Sequence, residues 1–103
     1  MKLEGKSIVV TGASAGMGQA IVTLFAQEGA NIIAVARRKE RLEALAEELK
    51  DAPGKVVPYA GDVSDPAVCE GMIDAAVKEF GRLDVLVNNA GITDDHTAVG
   101  AVS

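Results

Sequence analysis

Ser7-Ile8-Val9-Val10-Thr11-Gly12-Ala13-Ser14-Ala15-Gly16-Met17-Gly18 is the stretch that decides the fold. Ser7 to Val10 read as a buried strand and Met17 onward as an amphipathic helix, and the glycines between them make the connection a phosphate cradle. Each glycine has its own task. Gly12 permits a sharp exit from the strand, Gly16 lets backbone approach a pyrophosphate, and Gly18 lets the helix sit close to the sheet. The helix directs its first N–H groups and its positive dipole end at a bound anion. The order is G-x-x-x-G-x-G after Thr11, which differs from the common G-x-G-x-x-G dinucleotide fingerprint. Alone, such a turn also reads as an ordinary glycine-rich loop. The strand before it and the helix after it favour the cradle.

Outward from this stretch the chain alternates strand and helix with short connections, the pattern of a parallel α/β sheet. Met17 to Glu28 places Ile21, Leu24, Phe25 and Glu28 at helical spacing, with Gly29 as a left-handed cap. Asn31 to Val35 is a second buried strand. A helix over Lys39 to Lys50 carries Leu42, Leu45, Ala46 and Leu49 on one stripe and a solvated face of glutamates. Asp51-Ala52-Pro53-Gly54 stops it, and Lys55 to Ala60 reads as a third strand that Pro58 marks as an edge. Gly61 to Pro66 turns into a third helix with Ser64 as its expected N-cap. That helix presents Cys69, Ile73, Ala76, Val77 and Phe80, then ends at Gly81. Asp84 to Asn88 is a fourth strand, apolar on both faces. Residues 1–103 read as one domain with no internal repeat and no linker.

Composition narrows the function classes. A net charge of -5 argues against a nucleic-acid or anionic-membrane surface. The single cysteine, Cys69, rules out an internal disulfide and fits a reducing cytosol, so a cytoplasmic location is expected. No run approaches the roughly eighteen apolar residues of a membrane span, and Met1 to Gly5 lacks the apolar core of a signal peptide. Asp94-Asp95-His96 reads as a polar loop, and one histidine makes a zinc site improbable, so no metal is expected. Cys69 reads as packed rather than reactive, and Met17 and Met72 as packing residues. No lysine follows the glycines as in a P-loop, which disfavours phosphoryl transfer.

Three motifs occur together at compatible spacing: Thr11-Gly12-x-x-x-Gly16-x-Gly18, Asp62-Val63 after the third strand, and Asn88-Asn89-Ala90-Gly91 after the fourth. On these the chain resembles the N-terminal part of the short-chain dehydrogenase/reductase family over residues 3 to 92. Within that family it is most similar to the 3-oxoacyl-[acyl-carrier-protein] reductases and related carbonyl reductases. The resemblance implies a Rossmann-type doubly wound parallel sheet, here a partial one. It also implies a nicotinamide dinucleotide across the C-terminal strand ends. The loop from Gly12 through Ser14, Ala15, Gly16 and Met17 to Gly18 would take the pyrophosphate and adenosine ribose. Asp62, followed by Val63, would accept from the adenine amino group, although Asp before a helix is also a common turn former. Asn89, Ala90 and Gly91 would line the path toward the nicotinamide ribose. Right-handed crossovers predict strand order 3-2-1-4, with the first two helices on one face and the third on the other.

Cofactor choice is argued at the end of the second strand. NAD sites place a carboxylate there to grip the ribose hydroxyls, and it would repel a 2′-phosphate. Here stands Ala36, followed by Arg37 and Arg38. A charge-assisted hydrogen bond of about 1.5 to 3 kcal/mol favours the phosphorylated cofactor by roughly 10- to 150-fold, so NADP(H) is expected over NAD(H). The other reading makes both arginines solvated openers of the next helix. Basic residues oppose the dipole there, which suggests another use for them.

The family's chemistry uses a tyrosine, a lysine four residues later, a serine and an asparagine, and no such set can be placed here. The only tyrosine is Tyr59, with Val63 four residues on; Ser14 and Ser64 fall in the cofactor loop and at a helix cap, and Ser103 is the last residue. The reading is therefore the cofactor-binding part, an N-terminal fragment, of an NADP(H)-dependent oxidoreductase acting on a small carbonyl or secondary alcohol. The alternative is a catalytically silent dinucleotide-binding or interaction module. A methyltransferase is disfavoured by Arg37 and by Asn88-Asn89-Ala90-Gly91. Val85 to Val87 would keep an unpaired edge, so a homo-oligomer joined there, or a longer molecule, is expected.

Overall fold

The computed structural model describes residues 3–13 and 16–88. Runs of β-branched residues make the strands: β1 (Ser7–Thr11), β2 (Asn31–Ala36), β3 (Val56–Ala60) and β4 (Val85–Val87). Between them lie α1 (Gly16–Gln27), α2 (Lys39–Glu48) and α3 (Pro66–Phe80). The strands form one parallel sheet in the order β3-β2-β1-β4, the expected partial Rossmann-type topology. Pro58 sits in the edge strand opposite Ala34, where its missing N–H is tolerated.

Successive strand residues face opposite sides, so each strand feeds two cores. Ile8, Val10, Ile32 and Ala34 pack with Val22, Ala26, Leu42 and Leu45 of the α1 and α2 layer. Val9, Ile33 and Val35 pack with Met72 and Ala76 of α3 on the other face. This is the predicted division of helices between faces. Ile33 is fully buried, and truncating such a residue to alanine costs about 2 to 5 kcal/mol.

The helices depart from their predicted stripes. In α1 the buried residues are Gly18, Val22 and Ala26, while Leu24 is 56% exposed and Ile21 and Phe25 lean on the margin of the core. Gly18 fixes which side of the helix faces inward: a Cβ there would meet the Gly12 carbonyl and lie 2.9 Å from Ala13 Cα. Val22 and Ala26 follow it at steps of four residues on the same stripe. In α3 the sheet-facing residues are Met72 and Ala76, and Ile73 and Val77 are left partly exposed. Met72 is packed as expected, but Met17 is 66% exposed.

The N-cap of α3 is Asp65, not Ser64. The Asp65 carboxylate accepts the Ala67 N–H at 3.0 Å, and Pro66 follows as the first helical residue. Proline at that position pre-sets the helical φ and holds the residue before it extended, which places the cap at Asp65. Gly29 follows α1 with φ +93°, in line with its expected left-handed cap, and Gly81 ends α3 where expected, with φ +85°. The second helix ends at Glu48 with Leu49 as its C-cap, short of the predicted Lys50.

β4 is half-buried and, among the described residues, paired only with β1. Its N-terminal end is clamped. Asp84 Oδ2 accepts the Ser7 N–H at 2.8 Å, the Asp84 N–H donates to the Ser7 carbonyl at 2.8 Å, and Arg82 Nε and Nη2 donate to Asp84 Oδ1 at 3.0 and 2.7 Å. The Arg82 side chain first, then the Ser7 N–H, hold the Asp84 carboxyl below the usual carboxylate range against a desolvation cost.

Candidate functional site

A parallel sheet gathers all its C-terminal strand ends on one rim. The register pairs Thr11 with Val35, Val35 with Tyr59, Ala36 with Ala60 and Val10 with Val87. Gly12, Arg37, Gly61 and Asn88 therefore leave the sheet within about one residue of the same height. The predicted residues Gly12, Arg37 and Asp62 are brought to one rim although they are far apart in sequence.

The cradle begins with Gly12 at φ +66°, a conformation that side chains rarely adopt. It turns Ala13 inward, where its N–H donates to the Val35 carbonyl at 2.9 Å and its side chain is buried. Thr11 Oγ1 donates to Asn88 Oδ1 at 3.1 Å, tying the ends of β1 and β4. Helix α1 follows with no acidic residue in its first turn. Ser14, Ala15, Asn89, Ala90 and Gly91 lie outside the described residues, as do Asp94, Asp95 and His96.

Two glycines of the cradle differ in what they require. Gly18 is glycine because the fold forbids a Cβ. At Gly16 a Cβ would meet nothing within 4 Å, so nothing in the described fold demands a glycine there. A helix N-terminus with no acidic residue of its own leaves its positive dipole end uncompensated by side-chain charge, which suits an anion such as a pyrophosphate.

At the end of β2 the last residue is the buried Ala36, with no carboxylate, and Arg37 and Arg38 follow as exposed residues. Arg38 is the N-cap of α2 but makes no side-chain cap bond, and Lys39 pairs with Glu43 at 3.8 Å. Arg37 Nη1 stands 4.0 Å from Asp62 Oδ2, with the two side chains 79% and 51% exposed. Asp62 Oδ1 accepts both the Ser64 N–H and the Ser64 hydroxyl at 2.9 Å. The Ser64 backbone bond first, then its hydroxyl, lower the Asp62 pKa against desolvation, and Arg37 adds a smaller lowering.

Val63 contributes differently from its neighbour. Its side chain leans on the α3-side core and its carbonyl accepts from the Cys69 thiol at 3.2 Å. Cys69 is packed in the way its helix position predicted. Tyr59 belongs to the same core, its hydroxyl lying against Gly71 of α3. Ser64 is the residue the sequence reading misplaced. The Asp-x-Ser spacing was its available signal, since an aspartate commonly bonds backbone two residues on.

A family model described as short chain dehydrogenase matches residues 6–101. The chain belongs to the short-chain dehydrogenase family. It is 50% identical over 95 residues to the 3-oxoacyl-[acyl-carrier-protein] reductase of Thermotoga maritima, covering 92% of this chain and 39% of that relative. Among solved structures, the L-sorbose reductase from Gluconobacter frateurii complexed with NADPH and L-sorbose is 41% identical with a TM-score of 0.82, covering 92% of this chain and 36% of that one. The 3-ketoacyl-(acyl-carrier-protein) reductase from Brucella melitensis complexed with NADH is 36% identical with a TM-score of 0.73, covering 81% and 33%. This short-chain dehydrogenase chain thus spans between a third and two fifths of the length of these relatives. Among its described residues no helix is long and apolar enough to cross a membrane, and no group of three or more His, Cys, Asp or Glu could hold a metal.

Proposed function

We propose that this chain is the dinucleotide-binding part of an NADP(H)-dependent oxidoreductase that moves hydride between nicotinamide and a small carbonyl compound or secondary alcohol. The observation that carries it is the convergence of Arg37 and Asp62 on the rim beside a cradle whose Gly16 faces open space. The L-sorbose reductase likeness, with its NADPH, supports the phosphorylated cofactor.

The residues divide the cofactor between them. Gly12 and the first turn of α1, from Gly16 to Gly18, receive the pyrophosphate, with Ser14 and Ala15 completing the loop. Arg37, with Arg38 beside it, meets the ribose 2′-phosphate where a carboxylate would have repelled it. Asp62 accepts from the adenine amino group with Val63 backbone alongside, and Asn89, Ala90 and Gly91 run toward the nicotinamide ribose. When bound, the nicotinamide supplies or accepts the hydride. The proton-transfer residues belong to parts of the enzyme other than these. A homo-oligomer is part of the same proposal, supported by the half-buried β4 with its one strand partner among the described residues.

The test is a pair of titrations on the full-length polypeptide. Arg37→Ala weakens NADPH by about tenfold or more and NADH by less than about threefold, measured from the fluorescence of the bound reduced cofactor. Equal losses sink the phosphate assignment. Loss of absorbance at the reduced-cofactor band with a panel of carbonyl compounds separates an oxidoreductase from a silent binding module.

A further inference from the structure

We propose that Ser64 is a positioning residue for adenine recognition: it clamps one oxygen of Asp62 and leaves the other as a single outward acceptor beside Arg37. The inference rests on the NADP(H) reading of this rim. It begins from a surplus, because Ser64 is released from helix capping by Asp65, which bonds the Ala67 N–H instead. Ser64 is thereby free to turn back two residues. Its N–H and its hydroxyl both donate to Asp62 Oδ1 at 2.9 Å.

An aspartate on an exposed turn ordinarily rotates among several rotamers. Two donors from one residue on one oxygen fix the carboxylate plane. Oδ2 is then the oxygen that remains, 4.0 Å from Arg37 Nη1. An oxygen held in that way can take a hydrogen bond from an exocyclic amino group. It meets a 6-oxo purine acceptor to acceptor, which is repulsive. The same oxygen attracts the Arg37 guanidinium, so one carboxylate orients the arginine and reads the base. The hydrogen bonds from Ser64 also favour the ionised carboxylate, the form with no proton of its own to offer a 6-oxo group.

The probe is a matched pair of reduced cofactors, NADPH and its hypoxanthine analogue, which carries an oxo group where adenine has the amino group. Dissociation constants are measured on the full-length polypeptide and on its Ser64→Ala and Ser64→Thr variants. The parent binds NADPH about tenfold or more tighter than the analogue. Ser64→Ala loses about three- to tenfold for NADPH and less than about twofold for the analogue, and Ser64→Thr restores the parent values. Carbon-detected titration of the Asp62 carboxyl, without cofactor, shifts upward in Ser64→Ala and stays in place in Ser64→Thr. Equal losses for both cofactors, or no loss for either, overturn the inference while leaving the NADP(H) reading intact. A parent that binds neither cofactor removes the dinucleotide reading and this inference with it.

Discussion

One methyl group separates two kinds of glycine in the cradle. At Gly18 an added Cβ would run into Gly12 backbone, 2.7 Å from its carbonyl carbon and 2.9 Å from Ala13 Cα. Backbone cannot step aside, so Gly18→Ala is expected to cost about 1 to 3 kcal/mol in urea unfolding and to abolish dinucleotide binding. Gly16→Ala meets open space. It is expected to leave unfolding free energy unchanged within about 1 kcal/mol while weakening the reduced cofactor in a fluorescence titration. That contrast in outcome is what separates a glycine the fold requires from one a ligand requires. The close approach at Gly18 was legible in the sequence because a missing side chain is a strong local signal. Ser64 was not, because two neighbouring residues could each cap the same helix, and the choice between them was made by Pro66.

Helix α3 shows the same competition one level up. Asp65→Ala should destabilise the protein by about 0.5 to 2 kcal/mol in denaturant unfolding, and Asp65→Asn should retain most of the cap. Ser64→Ala, which removes one exposed hydrogen bond to Asp62 and no cap, should cost less than Asp65→Ala, which reverses the ranking expected if Ser64 were the cap. The strands were read nearly to the residue, since continuous apolar β-branched runs bounded by turns admit few registers. The helical faces were read less well. In α1 the largest apolar residues suggested the buried stripe, but the approach at Gly18 turns its own stripe, with Val22 and Ala26, inward and leaves Ile21 and Phe25 at the margin. In α3 apolar residues cover much of the circumference, so spacing alone does not separate the face of Met72 and Ala76 from that of Ile73 and Val77.

For the whole molecule, strand order and the division of helices between faces followed from handed crossovers and were legible. The N-terminal fastening of the sheet was not, because Ser7 and Asp84 meet across 77 residues of sequence. Their contact makes a pH prediction. Asp84 has a lowered folded pKa, so its contribution is fully present above the unfolded carboxylate value of about 3.9 and is lost as pH falls through the folded value. Unfolding free energy measured across that acid range should fall less steeply in Asp84→Asn than in the parent, with the two curves parallel near neutrality. The sheet therefore has two rims of unlike character. One holds the strands together through Ser7, Asp84 and Arg82, and the other carries Arg37 and Asp62 as exposed side chains outside both cores. Side chains on the second rim can thus be exchanged over evolutionary time, while the foldability secured at the first passes unaltered to the descendant.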